Sequence, residues 1–511
     1  MEWKEAIKTY RFNPSNISYV LDLLGDLPTC FHQGITYYNI PCSFDIETSS
    51  FYDPDGNKAA CMYEWTFGIN GIVIIGRTWK QFLTMMKYIV NRLEIDLKHR
   101  LVCYIHNLSY EFQWFRKYFT WNKVFSLEER KPIYAVTDTG IEFRCSYLLS
   151  GYSLAKLADQ LQTYKFKKLV GDLNYDLLRH SRTKLYDNEI AYCINDVRVV
   201  MAYIQEKIEN KENICYIPKT KTGYVRKFVR NYCFNEYGKP QKKSHKKLRY
   251  LDLMHKLTLE PAEYLQLKRA FAGGFTHASV FYTGKIEEDV TSMDFTSSYP
   301  TVMIAEMFPM SSSELIEIKS KEEFYHNIKY YCCLFDCHFE GLEATFLYDN
   351  YISESHCRNK RNVSINNGRV VSADSLDLTL TEQDYIIISK TYKWKKLLIS
   401  NFRRYQKDYL PKDFVKAILK LYEKKTTLKG VEGKEREYLS GKENLNACFG
   451  ATVTDICRPD IIYEEEWSSK EPDITTVIDK YNKSNSRFLF YPWGVDHRLC
   501  TSKLVDCNIR V

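Results

Sequence analysis

The chain has 511 residues and a mass of 60.5 kDa, which exceeds one ordinary hydrophobic core and predicts about two to four domains. Hydrophobic residues make up 45%, charged residues 27% and aromatic residues 15%, which excludes a disordered tail, a collagen-like repeat and a charged coiled coil. The 72 lysines and arginines outweigh the 64 aspartates and glutamates by +8, which over so long a chain only weakly indicates a polyanionic partner.

Neither a membrane segment nor a disulfide framework is predicted. Apolar runs such as residues 72–75 fall far short of the ~20 residues that span a bilayer, and the N-terminus lacks the apolar core of a signal peptide. The 16 cysteines are scattered in apolar contexts, which favours buried free thiols. One group of cysteines and histidines is a candidate zinc site, but it lacks the paired C-x2-C spacing that such sites have. It comprises Cys332, Cys333, Cys337, His338, His356 and Cys357.

The first part of the chain alternates strand-like runs with helical periods. Strands are predicted at residues 40–45, 67–75 and 100–105, an amphipathic helix at 79–97, and a long helix at 185–208. Strands that alternate with helices are typical of an α/β domain.

The composition then changes. Residues 211–250 are strongly basic, and a Gly-Gly pair is followed by strands predicted around Ile286 and Val290. The region 320–400 is predicted to be β-rich, with strands at 330–338 and 385–390. A basic helical region follows at 401–450, and short strands and turns come after it.

Two carboxylates in residues 44–48 (F-D-I-E-T) indicate a metal site. Side chains alternate along a strand with a period of two, so Asp45 and Glu47 share one face at the predicted strand end. Hard divalent cations bind carboxylate oxygens, and two such ions close together support phosphodiester hydrolysis. A D-x-E pair is common by chance, and the alternative interpretation is an ordinary surface strand end.

Two later segments favour the metal-dependent interpretation. Glu111 closes residues 104–111 (Y-I-H-N-L-S-Y-E), whose polar and aromatic groups are suited to a base and a phosphate. Tyr192 and Asp196 are four residues apart on the long helix and share a face. A tyrosine hydroxyl beside a metal-bound carboxylate can orient an attacking water, although a single helix tyrosine is more often a half-buried packing residue.

A second constellation lies at residues 290–300 (V-T-S-M-D-F-T-S-S-Y-P). We predict a strand that ends in Asp294 and a turn that Pro300 closes. Such an aspartate can hold Mg²⁺ against a triphosphate, and Tyr299 can pack under a sugar ring. The alternative is an ordinary strand-to-turn junction that the aspartate caps.

A basic helix supplies cationic counterparts. Lys442, Asn446 and Phe449 recur at positions i, i+4 and i+7, so one helix face presents a cation, an amide and a ring. That face suits a triphosphate and a base pair, and Lys425 adds a further phosphate contact. A basic helix is otherwise most often a solvated surface.

In this order the segments of the first constellation resemble the proofreading 3′–5′ exonuclease of DNA polymerases. The resemblance implies a ribonuclease H-like domain with four metal-binding carboxylates and a water-positioning tyrosine. These are Asp45, Glu47, Glu111, Asp196 and Tyr192. The family usually has Asp where this chain has Glu111, which keeps the charge on an arm one methylene longer. The residues implied to hold the single-stranded 3′ end are Thr48, His106, Asn107, Tyr110, Ser153 and Leu154.

Further motifs resemble family B DNA polymerases, specifically the protein-primed branch of bacteriophages, adenoviruses and linear plasmids. Residues 294–300 (D-F-T-S-S-Y-P) resemble motif A, D-x-x-S-L-Y-P, with Ser298 in place of the usual Leu. Residues 442–450 (K-E-N-L-N-A-C-F-G) resemble motif B, K-x3-N-S-x-Y-G, with Ala and Phe at the Ser and Tyr positions. Residues 271–274 (F-A-G-G) resemble the Y-x-G-G/A loop, which contacts the template. The resemblance extends over residues 42–495.

By this resemblance the fold is α/β and multidomain, with a ribonuclease H-like 3′–5′ exonuclease domain followed by a partial right-hand polymerase domain of palm and fingers. The implied polymerase residues are Asp294 for the metals, Tyr299 as steric gate, Lys425 and Lys442 for the triphosphate, Asn446 and Phe449 for the nascent base pair, and Phe271, Gly273 and Gly274 for the template. The implied cofactors are two Mg²⁺ or Mn²⁺ ions per active site. The implied partners are DNA template and primer, dNTPs and a terminal (priming) protein, with no membrane, in the cytoplasm of an infected bacterial host cell.

The resemblance also predicts a division of the chain. The exonuclease domain takes residues 1–215, the linker and first part of the palm 216–304, a first insertion that contacts the priming protein 305–400, the fingers 401–452, a second insertion 453–490, and a truncated return to the palm with an unmatched tail 491–511.

The C-terminal region departs from the family pattern. Motif C, Y-x-D-T-D, and the thumb are not found. Residues 504–509 (L-V-D-C-N-I) offer one carboxylate where two are expected, and they follow residue 495 too closely for the intervening helix. We therefore expect the N-terminal part of an interrupted polymerase gene, in which the last ~16 residues match no helix pattern. A second chain or a spliced product would carry motif C and the thumb.

Three functions are consistent with these patterns. The first is a protein-primed DNA polymerase with 3′–5′ exonuclease, incomplete as given. The second is a stand-alone 3′–5′ exonuclease with a remainder inactive in polymerisation. The third is a non-catalytic subunit of a split polymerase that binds DNA or the priming protein.

Overall fold

The computed structural model describes residues 8–166, 177–234, 252–275, 281–282, 284–293, 295, 297–452 and 455–487. The chain forms two compact units. The first consists of Met1–Tyr224 and Arg458–Glu471, and the second of Val225–Cys457 and Pro472–Val511. The boundary between them falls within one helix, Lys221–Phe234. The finer division into exonuclease domain, palm, insertions and fingers stays a prediction.

The first unit contains a ten-stranded mixed sheet in the order β1-β6-β5-β4-β7-β10-β9-β8, with β2 on β3 and β3 on β7. Strand β4 runs antiparallel to β5 and parallel to β7, and β7 runs parallel to β10. The strands are β1 (Lys8–Arg11), β2 (Thr29–His32), β3 (Ile35–Tyr38), β4 (Cys42–Tyr52), β5 (Lys58–Ile69), β6 (Ile72–Gly76), β7 (His99–Ile105), β8 (Trp121–Ser126), β9 (Pro132–Thr137) and β10 (Ile141–Cys145).

Helices cover both faces of this sheet. They are α1 (Ile17–Asp22), α2 (Trp79–Arg92), α3 (Leu108–Phe115), α4 (Ser146–Ser150), α5 (Leu154–Gln160) and α6 (Asp187–Glu209), followed by α7 (Lys221–Phe234). Phe44 and Ile46 of β4 belong to the core that α2 and α3 complete with Phe82 and Phe112. Because side chains alternate along a strand, the residues between them project to the opposite face, where α6 lies.

A hairpin from late in the chain belongs to this unit. Strands β20 (Asp460–Tyr463) and β21 (Trp467–Lys470) pair antiparallel, and Tyr463 and Trp467 place their ring centroids 5.4 and 5.8 Å from that of Phe112. The Arg116 guanidinium lies 5.4 Å from the centre of the Tyr463 ring. The hairpin therefore packs on the outer side of helix α3.

Most elements predicted for the first unit are confirmed, with three corrections. The run 67–75 is not one strand, because Asn70 and Gly71 turn at positive φ (42° and 88°) and divide it between antiparallel β5 and β6. The helix predicted at 79–97 ends at Arg92, with Glu94 at φ 46°. Strand β4 does not end at the two carboxylates but continues to Tyr52, because β5 pairs with it throughout.

The second unit contains a seven-stranded antiparallel sheet in the order β12-β18-β13-β16-β14, with β15 on β16 and β17 on β13, as the β-rich composition predicted. Its strands are β12 (Glu314–Ile316), β13 (Cys332–Ala344), β14 (Arg358–Arg361), β15 (Ser364–Asn366), β16 (Arg369–Thr381), β17 (Tyr392–Lys393) and β18 (Lys396–Tyr405). A separate pair joins β11 (Met307–Pro309) to β19 (Lys407–Tyr409). Cys332, Cys333 and Cys337 are buried free thiols of β13.

Seven labelled helices complete the described part of this unit, together with helical residues 252–256. Besides α7 they are α8 (Pro261–Ala270), α9 (Ser298–Ala305), α10 (Lys321–Tyr330), α11 (Glu382–Thr391), α12 (Lys412–Thr427), α13 (Glu435–Thr452) and α14 (Ile474–Arg487). One core joins α7, α9, α12 and α13, and another joins the large sheet to α10 and α11.

Five predictions for the second unit are wrong. Pro300 does not close a turn but lies inside helix α9. The helical region predicted from residue 401 begins only at Lys412, because β18 and β19 occupy the residues before it.

Ile286 and Val290 lie in no strand. Their side chains are 95% and 74% exposed, so they do not contribute the buried apolar surface that would stabilise a strand. The segment 385–390 is helical, because Thr381 and Asp384 form a capping box that starts α11. After residue 450 the chain forms helix α14 as well as the short strands expected.

Gly68 of β5 lets helix α6 lie close to the sheet. A Cβ at this position would come within 2.6 Å of both Met201 Sδ and Val197 Cγ1 on α6. The absence of a side chain therefore sets the distance between the strand and the helix that carries Tyr192 and Asp196.

We expect Gly68→Ala to lower the free energy of unfolding by about 1–3 kcal/mol, because the added methyl overpacks this contact. Chemical denaturation of the full chain would measure the loss. Met201→Ala removes the flexible one of the two neighbours, so the double variant should lose less than the two single variants added together. Strict additivity would contradict the close approach.

Candidate functional site

Three carboxylates from two elements meet on the α6 face of the sheet. Asp45 and Glu47 of β4 and Asp196 of α6 each offer an oxygen, and these oxygens lie within 4.8 Å of one another. Glu47 and Asp196 are buried and Asp45 is half-buried. Across the part of the chain that the structure describes, no other three acidic, histidine or cysteine side chains form such a group.

Burial and mutual repulsion act on these groups together. Burial, followed by the charges of Glu47 and Asp196, raises the pKa of Asp45 well above its usual range. Burial and the charge of Asp45 do the same for the pKa of Glu111 on α3. Glu111 Oε2 is buried and has no hydrogen-bond partner among the described residues. Crowding raises the pKa of acidic groups because their negative charges repel one another. Such a group fits a divalent cation, which would supply the compensating positive charge.

Glu64 is a further buried carboxyl beside this group. It faces Glu47 across the β4–β5 pair, accepts a 2.6 Å hydrogen bond from Thr66 Oγ1, and is almost fully buried. Burial raises the pKa of Glu64 to about 8. Sequence analysis missed it, although an acidic residue inside the apolar run of a strand is a visible signal.

A cavity of about 570 Å³ opens over the carboxylates. Five residues predicted from the sequence for the water or the single-stranded 3′ end line it, namely His106, Asn107, Ser153, Leu154 and Tyr192. Ser43, Tyr147 and Val200 also line the cavity and were not predicted. Ser43 and Val200 lie on β4 and α6, which were chosen for other residues, whereas Tyr147 lies on α4, where no site residue was predicted.

Local structure fixes the polar wall of the cavity. His106 Nδ1 lies 3.1 Å from Ser146 Oγ, and Asn107 adopts a left-handed conformation (φ 72°) at the start of α3. Ser153 caps α5 by accepting a hydrogen bond from the Lys156 backbone N–H at 3.4 Å. These contacts hold the wall beside the carboxylates.

Thr48 and Tyr110 do not line the cavity but lie next to residues that do. Thr48 Oγ1 and the Tyr110 hydroxyl share a 2.5 Å hydrogen bond, which links β4 just beyond Glu47 to helix α3. The pairing of β4 with β5 shifts register at this point, between Glu47 and Thr48. The structure thus brings both predicted residues together.

In the second unit, residues of the two segments predicted to be motifs A and B come together. The rings of Tyr299 on α9 and Phe449 on α13 stack with centroids 4.2 Å apart and an interplanar angle of 12°. Lys425 Nζ on α12 donates a 2.8 Å hydrogen bond to Ser297 Oγ. The aromatic and cationic residues predicted for one site therefore lie on three helices that pack together.

Of the three remaining predicted residues of this constellation, the structure describes two. Asp294 lies outside the described residues. Lys442 and Asn446 are exposed on α13, one turn apart, as their spacing predicted. The segments 235–251 of the basic run and 488–511, with the predicted unmatched tail, also lie outside the described residues.

The Gly-Gly loop lies beside a second cavity, of about 210 Å³. Gly273 and Gly274 line it with Tyr351 and Arg369, whereas Phe271 ends helix α8 by donating its backbone N–H to Leu267 O at 3.0 Å. A Cβ at Gly273 would meet no atom within 4 Å, so the backbone there is open to the surroundings.

Comparison with known proteins places the chain in a family. The family of type B DNA polymerases, organellar and viral, matches residues 160–493, and the chain belongs to that family. The predicted resemblance to family B DNA polymerases is thereby confirmed. No curated protein sequence gives a significant match.

Solved structures of Phi29 DNA polymerase share the fold. The binary complex with primer-template DNA aligns with a TM-score of 0.59 at 14% identity, over 87% of this chain and 76% of that chain. The ternary complex with primer-template DNA and incoming nucleotide substrates aligns with a TM-score of 0.58 at 16% identity, over 89% and 78%. The predicted fold class, α/β and multidomain with the fold of a family B DNA polymerase, is confirmed. Among the described helices, none has the length and apolar character needed to cross a bilayer.

The raised pKa of Glu64 predicts a pH dependence of the metal-free chain. Its carboxyl ionises near 4.5 in the unfolded chain and near 8 in the folded chain. Its contribution to stability is therefore complete below about pH 4.5 and is lost as the pH rises towards 8.

In the presence of a chelator, the free energy of unfolding of the wild type should fall between about pH 5 and 8. We expect Glu64→Gln to make this fall smaller by roughly a few kcal/mol. The exposed Glu465→Gln serves as the control and should leave the fall unchanged. An equal slope in wild type and Glu64→Gln would show that Glu64 is not held neutral.

Proposed function

We propose that the chain is a protein-primed DNA polymerase with a 3′–5′ exonuclease, and that the exonuclease site is the carboxylate group in the first unit. The observation that carries the proposal is the convergence of Asp45, Glu47 and Asp196 beneath a cavity lined by residues suited to a single-stranded 3′ end. Family membership and the polymerase fold support it.

Two Mg²⁺ or Mn²⁺ ions are the proposed cofactors of this site. Asp45, Glu47, Glu111 and Asp196 would hold them. Glu111 Oε2, which is buried and accepts no hydrogen bond from any described residue, is an oxygen suited to that role. Bound Mg²⁺ would favour a hydroxide nucleophile and stabilise the leaving oxygen of the phosphodiester.

The protein side chains would do the positioning. Tyr192, buried beside Asp196 on α6, would hold the attacking water by its hydroxyl. His106, Asn107 and Ser153 would bind the terminal nucleotides through hydrogen bonds along the cavity wall. Leu154, Thr48 and Tyr110 would support the same strand of DNA. Single-stranded ends fit because an extended strand exposes both its phosphates and its unstacked bases.

The polymerase site is proposed for the second unit. Asp294 would bind the catalytic metals, Tyr299 would exclude a ribose 2′-OH, and Lys425 and Lys442 would neutralise the triphosphate. Asn446 and Phe449 would line the nascent base pair, and the stacked rings of Tyr299 and Phe449 support a shared site. Phe271, Gly273 and Gly274 would contact the template. A terminal protein would bind residues 305–400, and a second chain would supply motif C and the thumb.

We expect the full chain to degrade single-stranded DNA from its 3′ end in Mg²⁺, and Asp45→Ala to lower the rate by at least about 10³-fold, because the shared ligand is lost. Shortening of a 5′-labelled oligonucleotide would measure it. Asp22→Ala, which removes an exposed acid of the same unit, is the control. Failure of wild type to release nucleotides would contradict the proposal and favour a non-catalytic binding subunit.

The second candidate is a stand-alone 3′–5′ exonuclease. It is favoured by the position of the carboxylate residues, all of which belong to the first unit. Both candidates predict nuclease activity, so extension of a primer separates them.

We expect the chain alone to leave a primed template unextended with all four dNTPs in Mg²⁺, and extension to require a second chain carrying motif C. Asp45→Ala should be used as the enzyme, so that degradation does not mask synthesis. Extension by the chain alone, abolished by Asp294→Ala, would show that its polymerase site is complete.

A further inference from the structure

The segment that leads into helix α6 is held by a buried arginine. Arg179 is 4% exposed, and its Nε and Nη2 donate to Glu189 Oε1 at 3.0 and 2.5 Å. Glu189, 6% exposed, is the third residue of the first turn of α6, and its other oxygen accepts the backbone N–H of Tyr186 at 2.8 Å. The ion pair therefore fixes the start of the helix that carries Tyr192 and Asp196.

The same arginine is tied to the strand that carries the other two carboxylates. Its backbone N–H donates to Ser49 Oγ of β4 at 3.0 Å, and its carbonyl accepts from Cys61 Sγ of β5 at 3.4 Å. Its guanidinium also lies 5.8 Å from the centre of the Tyr63 ring. Arg179 thus links β4, β5 and α6 at one point.

Tyr63 connects this point to Tyr192. Tyr63, Tyr192 and Cys193 form one buried apolar cluster with Leu185. Arg77 holds the outer side of the cluster, because its Nε donates to Tyr63 O at 2.6 Å and its Nη2 to Thr183 O at 2.7 Å. A shift of the first turn of α6 would therefore move the Tyr192 ring across the cavity.

We propose that Arg179 is a positioning residue of the exonuclease site, whose ion pair with Glu189 and contact with the Tyr63 ring set the place of Tyr192 over the carboxylates. The inference rests on the proposed exonuclease function. Arg179 acts on Tyr192 through Glu189 in the first turn of α6 and through the Tyr63 ring, which shares an apolar cluster with Tyr192. Its planar, forked guanidinium suits the task, because one group can bind a carboxylate by two N–H donors while it faces a ring.

The test compares full-length variants on a single-stranded oligonucleotide in Mg²⁺. We expect Arg179→Gln to lower kcat by about 10–100-fold with KM within about twofold, because the wall that binds DNA is unchanged. Arg179→Lys keeps the charge without the fork and should recover part of the loss. Arg144→Lys is the matched control, since Arg144 is equally buried in the same unit and pairs with Glu142. It should leave kcat unchanged.

A double-variant cycle with Tyr192→Phe separates positioning from simple loss of folded protein. If Arg179 acts through Tyr192, Arg179→Gln should cost less than about threefold once the hydroxyl is gone, because residues acting as a unit are not additive. If Arg179→Gln does not fold, Arg179→Lys takes its place in the cycle. An equal fold-loss in both backgrounds would overturn the inference, and so would an equal loss in Arg144→Lys. A wild type without nuclease activity would instead refute the proposed function, and the inference with it.

Discussion

The crowding of carboxylates on one face of the sheet is the constraint on which the first unit depends. Asp45, Glu47 and Asp196 approach within 4.8 Å of one another in surroundings poor in water, and Glu111 and Glu64 lie close by. Isolated negative charges at such distances repel strongly when solvent is excluded. An arrangement that is unfavourable without a cation persists only because the surrounding elements impose it, and such strain is typical of functional sites.

The scaffold imposes that arrangement through the faces of strand β4. Phe44 and Ile46 pack into the largest apolar cluster of the unit, on one face of the sheet. Because side chains alternate along a strand, Asp45 and Glu47 project to the other face, where α6 lies. Gly68 lets α6 come close enough for Asp196 to reach them. Apolar burial on one side of the sheet thus stabilises the acidic cluster on the other.

Spacing in the sequence predicted which of the candidate residues share a face, whereas it predicted several strands and helices wrongly; the role of these residues as a site stays a prediction. Asp45 with Glu47, and Tyr192 with Asp196, were found because their spacings of two and four match the strand and the helix. Arg179 was missed because its importance lies in contacts with distant segments, which no local pattern encodes. Glu64 was missed although an acidic residue inside the apolar run of a strand is a local signal. Residues 385–390 were wrongly predicted to be a strand, because an apolar run of that length is compatible with a strand or a helix. The capping box that begins at Thr381 makes the segment helical. Ile286 and Val290 show that strand-like composition alone does not produce a strand, since both lie exposed and the described residues include no strand paired with them.

The hairpin β20–β21 bears on the order in which the protein is made. Its rings cover Phe112, the neighbour of Glu111, yet they belong to a segment that leaves the ribosome long after the sheet has been synthesised. Domains generally fold as units during synthesis, N-terminal part first. The outer side of helix α3 therefore stays exposed to solvent while most of the second unit is synthesised. Nascent chains of this protein should present an aromatic surface there to chaperones until the hairpin arrives.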